Sequence, residues 1–153
     1  MSRGLGDVYK RQEELRPEIE KKAVCGNQNY LVGHSYAGLF TLQVLLDHPE
    51  AFDTFVAIDP SLWWDQGIYL KRAKQEAHKK DFANKKLYVA FATQQRPNVK
   101  LNQFSLADSL RINIIPDMEA QHLHVIYKKF PEEVHGTVAL PGIFDGIKSL
   151  FRH

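Results

Sequence analysis

The 153-residue sequence carries a single cysteine, Cys25. One thiol excludes an internal disulfide framework and any cysteine-based zinc site. Charge of one sign is also lacking: 20 Lys and Arg against 18 Asp and Glu leave a formal net charge of +2, with the two signs interspersed. No basic patch of the kind that draws nucleic acid or an anionic membrane surface is therefore expected. Long apolar runs are absent as well, the longest falling far short of the ~20 residues that span a bilayer. The chain is expected to be soluble, with no membrane span. Repeats, low-complexity tracts and linker-like stretches are likewise missing, so nothing divides the chain. What is present, 44% hydrophobic residues, suits one domain with a real core.

The first twelve residues stand apart. Met1 to Gln12 (MSRGLGDVYKRQ) has no hydrophobic periodicity and no apolar region of the signal-peptide kind. Asp7-Val8-Tyr9-Lys10-Arg11-Gln12 resembles the in-frame translation of a transposase adapter used in preparing sequencing libraries. Residues 1–12 are accordingly expected to be a scar outside the fold, the reading frame to have been cut at its 5′ end, and residues 13–153 to carry the domain. The absence of a targeting signal then says nothing about localisation.

Past that point the hydrophobic pattern alternates between two periods. Leu15, Ile19 and Ala23 recur at helical spacing from Glu13 to Val24, with Pro17 in the first turns and Gly26 as a stop. Tyr30 to Gly33 predicts a strand, and Leu39, Leu42, Leu45 and Leu46 predict a helix ending near His48-Pro49. Thr54 to Ile58 is short, partly β-branched and wholly apolar, as a buried parallel strand should be. A charged helix over roughly Ile68 to His78 precedes a third strand at Lys86 to Ala92. Gln94 to Lys100 predicts a loop and Leu106 to Arg111 a helix. His122 to Phe130 predicts a fourth strand, Pro131 to Thr137 a loop, and Pro141 to Phe151 an amphipathic closing helix. Strands alternating with helices imply an α/β fold whose sheet of about four strands is mostly parallel.

Chemistry is concentrated in the turns that leave those strands. Asn29 to Leu39 reads as a strand, a turn of small residues with Ser35 at its tip, and the start of a helix. This is the context of a G-x-S-x-G nucleophile elbow, with Gly33 before the serine and Ala37 in place of the second glycine. In an open α/β sheet, reactive groups gather at the carboxyl ends of the strands. The four loops there carry Ser35, then Asp59-Pro60-Ser61-Leu62-Trp63-Trp64, then Thr93-Gln94-Gln95, then Glu132-Glu133-Val134-His135-Gly136. Serine after one strand and histidine after the last is the chain order an α/β-hydrolase requires. Serine needs such a partner, because a neutral imidazole must take its proton before it can attack. Of seven histidines, His135 alone lies in a loop after the final strand. His34 reads as packing or pocket wall, His122 and His124 as strand residues, and His48, His78 and His153 as solvated ends.

Gly33-His34-Ser35-Tyr36-Ala37-Gly38-Leu39-Phe40, Asp59-Pro60-Ser61-Leu62-Trp63-Trp64-Asp65 and Phe130-Pro131-Glu132-Glu133-Val134-His135-Gly136-Thr137-Val138 together resemble the esterase D-like group of α/β-hydrolases, which includes relatives of siderophore (enterobactin-type) esterases. The resemblance extends from Glu13 to the C-terminus. It implies hydrolysis of a small-molecule carboxylic ester through an acyl-serine intermediate, with no metal and no organic cofactor. Ser35 is then the nucleophile, His135 the general base, and the Tyr36 backbone N–H an oxyanion donor at a helix N-terminus. His34, Trp63 and Trp64 would line the substrate site, the two tryptophans as an aromatic wall. Relatives usually place the acid after the strand that precedes the histidine strand, where this chain reads Ala92-Thr93-Gln94-Gln95-Arg96. A Ser-His dyad assisted by Glu133 is therefore expected, with Asp59 as the alternative acid.

In the resembled fold several strands precede the serine strand, and a loop among them gives the second oxyanion donor. The chain is thus expected to represent the C-terminal half to two-thirds of such an enzyme, with one exposed sheet edge that invites aggregation. Alternative readings are a serine peptidase or thioesterase on the same fold, or a non-catalytic binding module that keeps the fold alone. The specific ester, the compartment and the oligomeric state are not encoded in these motifs.

Overall fold

The computed structural model describes residues 28–93 and 103–151, together with Glu14, Pro17, Glu18, Lys21 and Gly26. The expected helix over Glu13 to Val24 falls mostly outside the described residues, and the loop over Gln94 to Lys100 and the segment 1–12 fall wholly outside them. Four strands, β1 (Tyr30–His34), β2 (Thr54–Ile58), β3 (Lys86–Ala92) and β4 (His124–Phe130), form one sheet in the order β1-β2-β3-β4. Every pairing is parallel, from Tyr30 beside Thr54 through to Ala92 beside Phe130. The crossovers carry α1 (Tyr36–Asp47) after β1, α2 (Ile68–Glu76) after β2, and α3 (Gln103–Asn113) with α4 (Ile115–Glu119) after β3; α5 (Ala139–Phe151) closes the chain.

Consecutive strands adding on the same side, each through a crossover of one hand, send all the crossover helices to one face of the sheet. The packing bears this out. Leu42, Leu45 and Leu46 of α1, Tyr69, Leu70 and Ala73 of α2, and Leu110, Ile114 and Met118 around α3 and α4 share one core with Phe55, Ala57, Leu87, Val89 and Phe91. Val56, Ile58, Tyr88, Ala90 and Val138 form a second, smaller core on the opposite face, with Ile143 and Leu150 of α5 packed against it. There α5 lies close to the sheet through two glycines one turn apart: a Cβ on Gly142 would sit 3.0 Å from Ile58 Cγ2, and one on Gly146 3.0 Å from Tyr88 Cδ1.

Polar contacts tie the helices together. The Arg72 guanidinium of α2 donates to Asp47 Oδ1 of α1 at 2.6 Å and to Glu76 Oε2 at 3.2 Å. Lys74 donates to the Asn113 carbonyl at 3.0 Å and to Asp117 at 3.1 Å. On the other face the buried Tyr88 hydroxyl donates to Asp145 Oδ2 of α5 at 2.7 Å.

The strands expected at Thr54 to Ile58 and Lys86 to Ala92 have those bounds. β4 instead starts at His124, because His122 (φ +72°) still belongs to the turn after α4, where the Leu123 N–H donates to the Met118 carbonyl at 3.1 Å. The helix expected over Leu106 to Arg111 runs longer, from Gln103 to Asn113, and α4 was not anticipated. It is one short turn opened by Pro116 near its start, too short to show a period.

Candidate active site

The site assembles at the carboxyl ends of β1, β2 and β4. Gly33 closes the first approach: a Cβ there would meet the Ala37 carbonyl oxygen at 2.2 Å and Thr41 Oγ1 at 2.7 Å. Strand and helix can cross this tightly only over a hydrogen atom. Ser35 follows at φ 61°, ψ −119°, a backbone state that costs about 1–3 kcal/mol and persists only where its surroundings enforce it. Three backbone bonds do so here. Ser35 N–H donates to the Ile58 carbonyl at 3.0 Å, and the Ser35 carbonyl accepts from Leu39 N–H at 3.0 Å and from Ser61 N–H at 3.1 Å. As the N-cap of α1, a serine would ordinarily turn its oxygen onto an early helix N–H. Ser35 makes no such bond; its hydroxyl is held by other partners.

The first partner is His135. Its Nε2 lies 2.9 Å from Ser35 Oγ, and its Nδ1 lies 2.6 Å from Asp59 Oδ2. Asp59 stands one residue beyond β2 at φ +40°, with its N–H donating to the Ala90 carbonyl at 2.7 Å, and is only 3% exposed. A carboxylate so buried is costly unless hydrogen-bonded, and the imidazole N–H provides that bond. The His135 side chain keeps 36% of its surface in solvent, so the line runs from the interior to an open face. Its loop is closed locally, Thr137 N–H donating to the Val134 carbonyl at 2.9 Å and Val134 N–H to Thr137 Oγ1 at 3.1 Å. His34 Nε2–H donates to the His135 carbonyl at 2.9 Å, and the two rings lie 4.8 Å apart, tilted by 33°. The His34 ring thus braces His135 from the β1 side.

Around this line stands an aromatic group. The Tyr36 ring meets Trp63 edge-on at 5.6 Å and Trp64 at 5.1 Å, and the two indoles lie 6.1 Å apart. Tyr36 and Trp64 are half exposed, at 50% and 51%. Edge-to-face contacts at these separations are favourable for aromatic pairs and fix the three rings as an angled aromatic cluster at the residue after Ser35. Because Tyr36 is the first residue of α1, its N–H has no acceptor within the helix.

Ser35, His135, His34, Tyr36, Trp63 and Trp64 therefore come together as the sequence leads one to expect. The carboxylate differs. Asp59, the alternative, reaches His135 Nδ1, whereas the partly exposed Glu133 side chain has no hydrogen bond or ion pair among the described residues and engages the fold through its N–H, donated to the Phe130 carbonyl at 3.3 Å. Two residues of separation on a curling loop do not put a side chain on its neighbour's ring; two adjacent strand ends do. One contact was not anticipated: Ser61 Oγ lies 3.2 Å from Ser35 Oγ. Its signal was its place two residues after the strand-end aspartate. Among the described residues no group of three or more His, Cys, Asp or Glu could hold a metal ion.

A parallel sheet with a serine elbow after one strand and a histidine after the last defines a chain of the α/β-hydrolase class. Residues 10–126 match the family described as "Putative esterase", and the chain belongs to that family. It is 44% identical over 62 residues to the ferri-bacillibactin esterase BesA of Bacillus subtilis, covering 40% of this chain and 22% of that protein. It is 28% identical over 162 aligned positions to the siderophore enterobactin esterase of Emericella nidulans, covering 90% of this chain and 53% of the relative. Among solved structures it resembles an IroE-like serine hydrolase from Shewanella oneidensis, with a TM-score of 0.79 and 31% identity over 97% of this chain and 48% of the other. The chain spans about half the length of the relatives that it matches along most of its residues.

Proposed function

We propose that the full-length protein is a serine-type carboxylic ester hydrolase in which Asp59, His135 and Ser35 work in line. The observation that carries this is the pair of contacts at 2.6 Å and 2.9 Å on the two nitrogens of one imidazole. With Asp59 ionised and accepting Nδ1–H, the neutral ring keeps its lone pair on Nε2, where it faces the serine hydroxyl. Ser35 attacks the ester carbonyl while its proton passes to His135. The carbonyl oxygen gathers negative charge beside the Tyr36 N–H, at the positive end of α1. His135 then protonates the departing alcohol, and water repeats the sequence on the acyl-serine. The strained serine backbone supports this reading, because strain held by surrounding bonds is characteristic of functional turns.

The surface formed by Tyr36, Trp63 and Trp64 suits an aromatic acyl or aryl group of the substrate. Esters of siderophores, the substrates named for the Bacillus and Emericella relatives, are therefore the first class to test beside simple aryl esters. The test measures nitrophenol release from short-chain p-nitrophenyl esters by the full-length protein, and labelling by a fluorophosphonate probe. Ser35→Ala and His135→Ala should each lower kcat by at least about 10⁴-fold, and Ser35→Ala should abolish labelling. Hydrolysis indifferent to Ser35→Ala would overturn the assignment.

A further inference from the structure

We propose that Ser61 is a second catalytic hydroxyl, donating a hydrogen bond to Ser35 Oγ and stabilising negative charge on it. The inference rests on the reading of Ser35 as nucleophile. Ser61 is 1% exposed, and its Oγ stands 3.2 Å from Ser35 Oγ, the one side-chain hydrogen bond that this hydroxyl makes among the described residues. Its backbone is fixed from both sides: its N–H donates to the Ser35 carbonyl at 3.1 Å and its carbonyl accepts from Trp64 N–H at 3.0 Å. Pro60, with its locked φ, separates it from Asp59. One short turn therefore delivers a carboxylate to the imidazole and a hydroxyl to the nucleophile.

Proton counting sets the direction of the bond. A serine hydroxyl has one proton to give and two lone pairs. In the line Asp59, His135, Ser35, the Nδ1 proton goes to Asp59 and the Ser35 proton goes to Nε2. The proton in the Ser61 contact is then Ser61's own, and Ser35 Oγ is the acceptor. During attack the Oγ–C bond forms, the Ser35 proton moves to Nε2 and the carbonyl π pair moves to its oxygen; collapse breaks the bond to the leaving alcohol, which takes the Nε2 proton. In deacylation water adds to the acyl carbon and passes a proton to Nε2. The C–Oγ bond then breaks, its electron pair returns to Oγ and the proton follows. The Ser61 proton never leaves its oxygen. Its bond strengthens each time charge collects on Oγ, early in attack and again as Oγ is expelled, which is the differential binding that lowers a barrier.

The experiment compares Ser61→Ala and Ser61→Thr in the full-length protein for p-nitrophenyl ester turnover, KM, thermal stability and the downfield proton resonance of the imidazole N–H bonded to Asp59. Ser61→Ala should lower kcat roughly tenfold, the scale of one such hydrogen bond, with KM within about twofold, the downfield resonance retained and the melting temperature little changed; Ser61→Thr, which restores the hydroxyl, should recover most of the rate. An unchanged kcat in Ser61→Ala, or a loss of rate accompanied by loss of that resonance, would overturn the proposal, the latter by showing a purely structural role. If Ser61→Ala does not fold, Ser61→Cys keeps the shape with a much weaker donor, and the same two outcomes decide. The parallel Ser35→Ala variant separates the two levels. Hydrolysis surviving in it ends the esterase reading itself, whereas an inactive Ser35→Ala beside a fully active Ser61→Ala ends this proposal alone.

Discussion

The two faces of the sheet are built to different depths. On one, four helices among the described residues cover the strands, and a continuous core runs from Leu39 and Leu42 through Phe55, Phe82 and Phe91 to Leu110 and Met118. On the other, among the described residues, α5 alone lies over Val56, Ile58, Tyr88 and Ala90. The large apolar side chains left in solvent include Val32, which shares the register of Val56, and Leu140, Phe144 and Ile147 of α5. The difference follows from topology, since crossovers of one hand between sequential strands crowd one face. It bears on the proposed chemistry because the site draws on both. Ser35 and Asp59 leave strands anchored by the deep face. His135 comes from the loop that leads into α5, and its position relies on the bonds at its two ring nitrogens and on His34.

The sharpest way to break this division of labour is at the carboxylate. Asp59→Asn should keep the shape of the site but present an amide where Nδ1–H needs an acceptor, so that the ring loses its preferred tautomer. Ester turnover should fall by about 10³–10⁴-fold. Glu133→Gln, on the His135 loop, should stay within about twofold, since that carboxylate makes no bond among the described residues. A larger loss in Glu133→Gln than in Asp59→Asn would reverse the assignment and return the orienting role to the shallow side.

Next in size is the elbow. Gly33→Ala puts a methyl where the Ala37 carbonyl oxygen stands 2.2 Å away, and neither strand nor helix can yield without losing contacts of the deep core. Folding stability should drop by about 3 kcal/mol or more, read as a lower denaturation midpoint. The two faces can then be set directly against each other. Leu42→Ala, at 0% exposure under α1, should cost about 2–5 kcal/mol. Phe144→Ser, at 62% exposure on α5, should change stability by less than about 0.5 kcal/mol. Similar costs at the two positions would mean that the faces are equally consolidated in solution.

Much of this was legible before any coordinates. β2 and β3 could be bounded because a fully buried parallel strand is a short apolar run, and for β2 Asp59-Pro60 supplies the punctuation. Ser35 and His135 could be placed because the order of serine and histidine along the chain survives as an order of strand ends. Asp59 was visible but not preferred, since proximity to His135 in sequence favoured Glu133. Only the sheet order, which sets β2 next to β1, carries the Asp59 carboxylate to His135 Nδ1. The Ser61 contact was illegible for a related reason. It depends on the angle at which two turns meet, and the positive φ values of Ser35 and Asp59 are not written in residue type. The unequal faces could have been inferred from sequential strand order, but not that order from periodicity.

Buried tyrosine hydroxyls separate the faces by the sign of a modest effect. Tyr88, under α5, gives its hydroxyl proton to Asp145 at 2.7 Å; Tyr69 and Tyr127, on the deep side, have buried hydroxyls with no hydrogen-bond partner among the described residues. Tyr88→Phe should therefore destabilise by about 1 kcal/mol, while Tyr69→Phe, which removes an unpaired buried polar atom, should be neutral or stabilising by a similar amount. Alkali adds a second reading of the same comparison. Burial, aided by the bond to Asp145, pushes the Tyr88 hydroxyl far above the ordinary tyrosine range; burial and the Asp47 charge do the same to Tyr69, and burial with Asp108 pushes Tyr127 up to about 12. An acid whose folded pKa is raised keeps its proton in the folded state while the unfolded chain releases it. The stability it contributes is whole below the unfolded value, about pH 10, and is lost as pH rises beyond it. Chemical denaturation from pH 9 to 11.5 should show stability falling above pH 10, and each tyrosine-to-phenylalanine change should flatten that fall by about one proton's worth, 1.4 kcal/mol per pH unit at the limit. Equal flattening by Tyr88→Phe and Tyr69→Phe, with opposite signs of effect at pH 7, would show both faces closed to alkali although only one satisfies its hydroxyl; flattening by Tyr69→Phe alone would mean that α5 opens over the shallow face before the deep core does.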